Sequence, residues 1–241
     1  MLRTLLGLRI SFLSALGCLA MCPPVFGLER VLTRLPEGEE DGWSAGLTCS
    51  ISYFNTCTGW VWVWSGWKPG AQMGVTFDTC CQGSSDLNSS AIFTWTGAPA
   101  GRGFTGVIEV LAADETGCAT GAPLASQVYL TISGWNQYLW KVAVPERFVI
   151  RTTHGPGGAN PTSYATDSPA AGPTGPEACG FCFPAERPAR SFDYGTLSNP
   201  LCPGSTLDDG VCTAELFFVA ALGCAEPVEK ESWSKVKSLY R

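Results

Sequence analysis

The chain has one histidine, few basic residues and no apolar run long enough to cross a membrane, and each shortage excludes something. Any Ser-His chemistry must pass through His154, because no other imidazole exists in the 241 residues. Fifteen Lys and Arg stand against twenty-one Asp and Glu, a net charge of −6, which argues against nucleic acid and anionic lipid as partners. Charged residues make up only 15% of the chain, whereas glycine and proline are plentiful. That balance, with many short β-type runs, points to an all-β domain.

Arg3 and Arg9 flank an uncharged run, Ile10 to Ala20, that carries Phe12, Leu13, Leu16 and Leu19. This is the layout of a secretory signal peptide, and the run is too short for a membrane span. Cleavage is expected after Val25-Phe26-Gly27, making residues 1–27 the signal. Lipoprotein processing at Cys18 or Cys22 is the rival reading, and neither site fits the usual small-residue pattern. Losing residues 1–27 removes two arginines and no acid, which moves the net charge from −6 to −8.

Cys49, Cys57, Cys80, Cys81, Cys118, Cys179, Cys182, Cys202, Cys212 and Cys224 remain, an even set that reads as a disulfide framework in a secreted or cell-surface protein. Cys49–Cys57 and Cys202–Cys212 are the local pairings expected. Adjacent Cys80 and Cys81 require different partners on geometric grounds, with Cys118 a candidate for one of them.

Periodicity and turn residues place strands at 47–54, 59–64, 72–78, 91–96, 105–113, 127–133, 138–144 and 147–153, with a last apolar strand at 215–221. The expected fold is a disulfide-rich, two-sheet antiparallel sandwich over 28–225, of jelly-roll type. Residues 154–212 read as a long loop followed by a disulfide-pinned region. Residues 226–241 interleave Glu229, Lys230, Glu231, Lys235 and Lys237 with Trp233, Val236 and Tyr240, the spacing of a short amphipathic helix and of a docking or sorting tail.

The stretch T-G-W-V-W-V-W-S-G-W-K-P-G, residues 58–70, is the densest signal. In a strand, Trp60, Trp62 and Trp64 share one face and Val61 and Val63 the other. If exposed, three indoles about 7 Å apart would suit successive sugar rings, with Asn55 and Lys68 orienting hydroxyls and Trp67 exposed in the turn. If buried, they form core, which their size favours. The residues leave both arrangements open.

The middle of the chain carries a resemblance. V-I-E-V-L-A-A-D-E-T-G-C-A-T-G-A-P-L-A-S-Q, S-G-W-N-Q-Y-L-W and V-A-V-P-E-R-F-V-I-R, within 105–153, resemble the layout of jelly-roll accessory modules of secreted bacterial proteins. The resemblance implies a secreted β-sandwich and brings no catalytic residues.

Other constellations are weaker. Gly42-Trp43-Ser44-Ala45-Gly46 fits the G-x-S-x-G pattern of serine hydrolases, with Asp78 or Asp114 and His154 downstream. An acidic run precedes it where an apolar strand is needed. Cys179, Cys182, Cys202 and Cys212 have poor zinc spacing and suit disulfides better. Asp86-Leu87-Asn88 and Asp208-Asp209-Gly210 are short acidic loops, candidates for a structural calcium although neither supplies a full ligand set from its side chains, and more simply solvated turns. No cofactor is expected. The reading is a secreted binding or adhesion module without catalysis, its partner a polysaccharide or cell-surface component; the rivals are a structural envelope or matrix protein with a sorting tail and a secreted serine hydrolase.

Overall fold

A computed structural model describes residues 29–35, 49–56, 58–95, 105–155, 163–168, 187–207 and 213–224. These form two antiparallel sheets, and no helix occurs among them. The seven-stranded sheet runs β1 (Glu29–Arg34), β3 (Trp60–Ser65), β10 (Ser163–Asp167), β5 (Ser85–Trp95), β13 (Phe218–Cys224) and β2 (Cys49–Ile51), with β8 (Gly134–Val144) also paired to β5. The six-stranded sheet runs β12 (Asn199–Thr206), β11 (Ser191–Thr196), β4 (Ala71–Asp78), β9 (Arg147–His154), β6 (Thr105–Ala113) and β7 (Ala119–Leu130).

The expected two-sheet antiparallel architecture is present, and β6 falls at the expected residues. The region expected to be a long loop and a disulfide-pinned segment, 154–212, holds more regular structure than that, while Cys202 within it is bridged to Cys118. It holds β10, β11 and β12, and β10 lies inside the larger sheet between β3 and β5. Ser-Tyr-Ala-Thr-Asp has too little apolar periodicity to announce a buried strand, yet Tyr164, Ala165, Thr166 and Asp167 are all buried. Asp86-Leu87-Asn88 is likewise strand, not loop: it lies within β5, with Leu87 fully buried. The signal segment, the tail at 226–241, Ser44 and Asp208-Asp209-Gly210 lie outside the described residues.

Alternation builds the core between the sheets. Met73, Val75 and Phe77 of β4, Ile108 and Val110 of β6, and Phe148 and Ile150 of β9 face Leu87, Trp140, Phe218, Ala220 and Leu222 of the other sheet. A tyrosine pair crosses this layer, with the Tyr129 and Tyr164 hydroxyls 3.0 Å apart and Tyr164 donating to Thr152 Oγ1 at 3.0 Å. Burial pushes the Tyr164 phenol up to about 12. Gly106 makes room for the pair, since a β-carbon there would collide with the Tyr129 hydroxyl and the Thr153 carbonyl. The outer face of the larger sheet is covered as well: Leu35, Val61, Val63, Phe93, Ala165 and Phe217 form a second cluster against Phe54, Trp95 and Trp135.

Three disulfides are described, Cys49–Cys80, Cys81–Cys224 and Cys118–Cys202, with Cα separations of 6.2, 5.2 and 5.5 Å. Cys80 and Cys81 do take different partners. The local pairings Cys49–Cys57 and Cys202–Cys212 are overturned, and Cys118 goes to Cys202 instead of the 80/81 pair. Sheet pairing explains this: Cys49 lies on β2, which is hydrogen-bonded to β13, so the residues just beyond β4 reach both strands across the sandwich. Cys57, Cys179, Cys182 and Cys212 lie outside the described residues, and the pairing of Cys202 removes it from the zinc set.

Candidate binding site

Strand β3 forms because bulky aromatic and β-branched residues suit a pleated backbone. Gly66 and Gly70, both at positive φ, turn the chain after it. The strand is sandwiched between β1 and β10, with Trp64 opposite Arg30 and Tyr164, and Trp62 opposite Leu32 and Thr166. Trp64 is 8% exposed and its Nε1–H donates to Thr166 Oγ1 at 2.9 Å. Trp67, expected to be exposed, is a buried residue whose Nε1–H donates to the Trp64 carbonyl at 3.0 Å and whose ring meets Tyr164 edge-on. Both are core side chains, so neither is available for stacking a ligand.

Trp60 and Trp62 are half-buried. The Arg30 guanidinium sits 4.7 Å from the Trp62 ring centre and 5.4 Å from that of Trp64. A cation so placed is held by the negative ring faces and caps the row of indoles. Trp62 Nε1 is buried and has no hydrogen-bond partner. The two polar residues expected to help a glycan are not brought together. Lys68 is exposed beyond the end of β3, whereas the Asn55 backbone N–H donates at 2.8 Å to Asp167, the register partner of Val61 near the strand's start.

Beneath β10 lies a buried polar knot. Asp167 receives Arg187 Nη2 at 2.6 Å and the Asn55 and Glu215 backbone N–H groups at 2.8 Å each. Burial raises its carboxyl above the usual range, against the pull of Arg187. Glu215, also fully buried, accepts Ser191 Oγ–H at 2.6 Å and the Arg190 N–H at 2.9 Å, and burial pushes its carboxyl up to about 7. Ser191 Oγ in turn accepts the Leu216 N–H at 2.8 Å. The knot ties the strand-like segment 213–217 to β10 and β11, and Ser191 within it is fully buried. His154 closes β9 with 5% exposure, its Nδ1 3.0 Å from the Gly155 carbonyl oxygen, and burial lowers its pKa. Asp78 is taken by two guanidiniums, Arg147 and Arg190, and the Asp114 carboxylate is taken by Thr116 and the Cys118 N–H. The Asp78 and Asp114 carboxylates are thus engaged by groups other than His154.

The surface that stands out was not singled out from sequence. Among the described residues, the large exposed hydrophobic side chains are all aliphatic, and five of them lie on the two edge strands β7 and β8 and the turn between them: Leu124, Val128, Leu130, Ile132 and Leu139. Val128 is 78% exposed and Leu139 is 74% exposed. Gln127 Nε2 donates to the Leu139 carbonyl at 3.5 Å, and Tyr129 meets Tyr138 edge-on at 6.1 Å, so the edges of both sheets meet on this side. From Thr116 to Trp140 the chain carries no Asp, Glu, Lys or Arg. Edge strands are ordinarily guarded by charge or proline; here Pro123 on β7 and exposed Lys141 on β8 bracket the uncharged aliphatic stretch between them. The signal was legible in Q-V-Y-L-T-I: with Tyr129 inward, Val128, Leu130 and Ile132 must point out.

No protein-family model matches the chain, and no curated protein matches it. Among solved structures it is similar to the cysteine protease and lectin-like domains of Cwp84, a surface layer associated protein of Clostridium difficile, with a TM-score of 0.47 and 11% identity over 73% of this chain. The match spans 36% of that protein's chain, and at this level of likeness no functional argument rests on it.

Proposed function

We propose that the chain is a secreted, non-catalytic binding or adhesion module that grips a protein surface through the uncharged aliphatic edge formed by β7 and β8. The observation that carries the reading is the exposure of Val128 and Leu130 on β7, Leu139 on β8 and Ile132 in the turn between them, within a stretch, Thr116 to Trp140, that holds no charged residue. Clustered exposed apolar side chains mark interaction sites, and edge strands add unpaired backbone groups for strand addition. The disulfides fit an oxidising compartment. The sandwich, stapled and doubly covered, is the rigid support such a surface needs.

A glycan reading is kept for one observation: Trp62 presents a buried indole donor without a partner, beside half-buried Trp60 and the Arg30 guanidinium. The experiment separates the two. Labelled mature chain is offered to cells of its own source, either untouched, shaved with protease, or oxidised with periodate. Binding lost on protease treatment and in a folded Val128→Lys/Leu139→Lys variant supports the protein-binding reading. Binding that survives those substitutions but disappears after periodate, or in Trp62→Ala, moves the site to the tryptophans.

A further inference from the structure

Two of the disulfides share a junction that the binding surface does not use. The sulfurs of Cys49, Cys81 and Cys224 all lie within 4.8 Å of one another. Cys49 is bonded to Cys80, and Cys80 is the neighbour of Cys81, which is bonded to Cys224. The four residues differ in access: Cys80 is exposed, Cys81 and Cys224 are half-buried, and Cys49 is buried at 7%. The strand positions are fixed around them, since β2 and β13 are paired with Cys49 opposite Leu222, and the Cys81 N–H donates to Thr79 Oγ1 at 3.1 Å.

We infer that this junction is a thiol–disulfide exchange site, at which a small monothiol moves the bond of Cys49 from Cys80 to Cys81 and releases Cys224. The thiolate attacks the solvent-facing Cys80 sulfur, because attack requires access and the Cys49 sulfur is covered. A bond forms between the thiol sulfur and Cys80, the Cys49–Cys80 bond breaks, and its electron pair leaves on Cys49. That thiolate is then within reach of the Cys81 sulfur. The Cys49–Cys81 bond forms, the Cys81–Cys224 bond breaks, and Cys224 takes a proton from water. The numbers of disulfides and thiols are unchanged, so no oxidant is needed. The consequence is structural: Cys49–Cys81 still staples the sheets one residue along, while the end of β13 is unfastened from the loop after β4.

The test treats the folded chain with reduced glutathione at about pH 8, where the thiolate is well populated. Acid-quenched aliquots are alkylated, digested and sequenced by tandem mass spectrometry. The expected first products are glutathione on Cys80, a Cys49–Cys81 linked peptide and alkylated Cys224, with Cys118–Cys202 intact as the sign of a folded chain. Alkylated Cys49 beside an unchanged Cys81–Cys224 bond overturns the proposal, as does a junction that stays unreacted. In Cys80→Ser the Cys49 thiol is free from the outset, and Cys224 becomes alkylated without any added thiol; alkylation of Cys49 alone overturns the exchange. If that variant does not fold, the time course of the unaltered chain decides.

Discussion

Strands β3 and β7 both carry apolar side chains on alternate positions, and their surroundings treat them in opposite ways. In β3 the Trp face meets the inter-sheet core and Arg30, while Val61 and Val63 meet the cluster around Phe93 and Phe217. In β7 only the inward face is covered, and Val128 and Leu130 look out. Place in the sheet, more than aromatic content, decides which residues are surface. The sharpest way to break the comparison is to truncate one apolar side chain in each strand. Trp64→Ala removes a buried indole and orphans Thr166 Oγ1, and the expected loss is about 4 kcal/mol. Val128→Ala is expected to stay within about 0.5 kcal/mol, as surface changes do. Urea unfolding of both variants gives the two values, and equal losses would erase the distinction.

The polar knot extends the buried side of the comparison. Arg187→Ala leaves the Asp167 carboxyl, 0% exposed, without its guanidinium, and the expected destabilisation is about 3 kcal/mol, as for other broken buried pairs. A similar magnitude is reachable by pH alone. Glu215 keeps its proton up to about pH 7 in the folded chain, against an ordinary value of 4.5. The unfolded chain loses that proton first, so stability present below pH 4.5 declines as pH rises to 7, by on the order of 3 kcal/mol. Buried Asp167 and half-buried Asp193, both raised by burial, act in the same direction. Asp78 does not oppose them in this window: burial raises it, Arg147 and Arg190 together outweigh that, and its net lowering acts at more acidic pH. His154, lowered by burial, pulls the other way in this window, so the test is a difference: on thermal unfolding from pH 4.5 to 7.5 the midpoint of the unaltered chain should fall relative to that of Glu215→Gln. Parallel midpoint profiles for the two chains would mean that Glu215 is not held protonated.

Much of the fold was legible because period-two patterns and turn residues are local signals. Thr105–Ala113 and the start of β9 at Arg147 follow directly from such patterning. What escaped is what depends on partners. Ser163–Asp167 is a buried strand only because β3 and β5 flank it and Arg187 reaches Asp167. The disulfide partners of Cys49 and Cys202 follow sheet order, which spacing in the chain does not encode. The Trp row illustrates the same limit. Alternation correctly put three indoles on one side of a strand, but whether that side met a second sheet depended on β10 and on Arg30, and neither had been placed. The open edge at Val128 and Leu139 was readable in principle, through the missing charges from Thr116 to Trp140; it went unnoticed because aliphatic residues in a strand look like core until their faces are counted.

The smallest expected stability effect is the most informative about function. Val128→Lys with Leu139→Lys restores the charge that edge strands normally carry. Both side chains already stand mostly in water, and each lysine can lay its methylene stem over the strand while its ammonium stays solvated. The unfolding free energy should move by no more than about 0.5 kcal/mol per site. Binding should nevertheless collapse, because a desolvated ammonium in an apolar contact is costly and removes the complementarity on which the edge relies. Sedimentation velocity on both forms adds a control: concentration-dependent dimers of the original chain that vanish in the variant would identify a second copy as an occupant of the edge. A variant that unfolds instead would show that these side chains are packed in solution, and β7 would then resemble β3 after all.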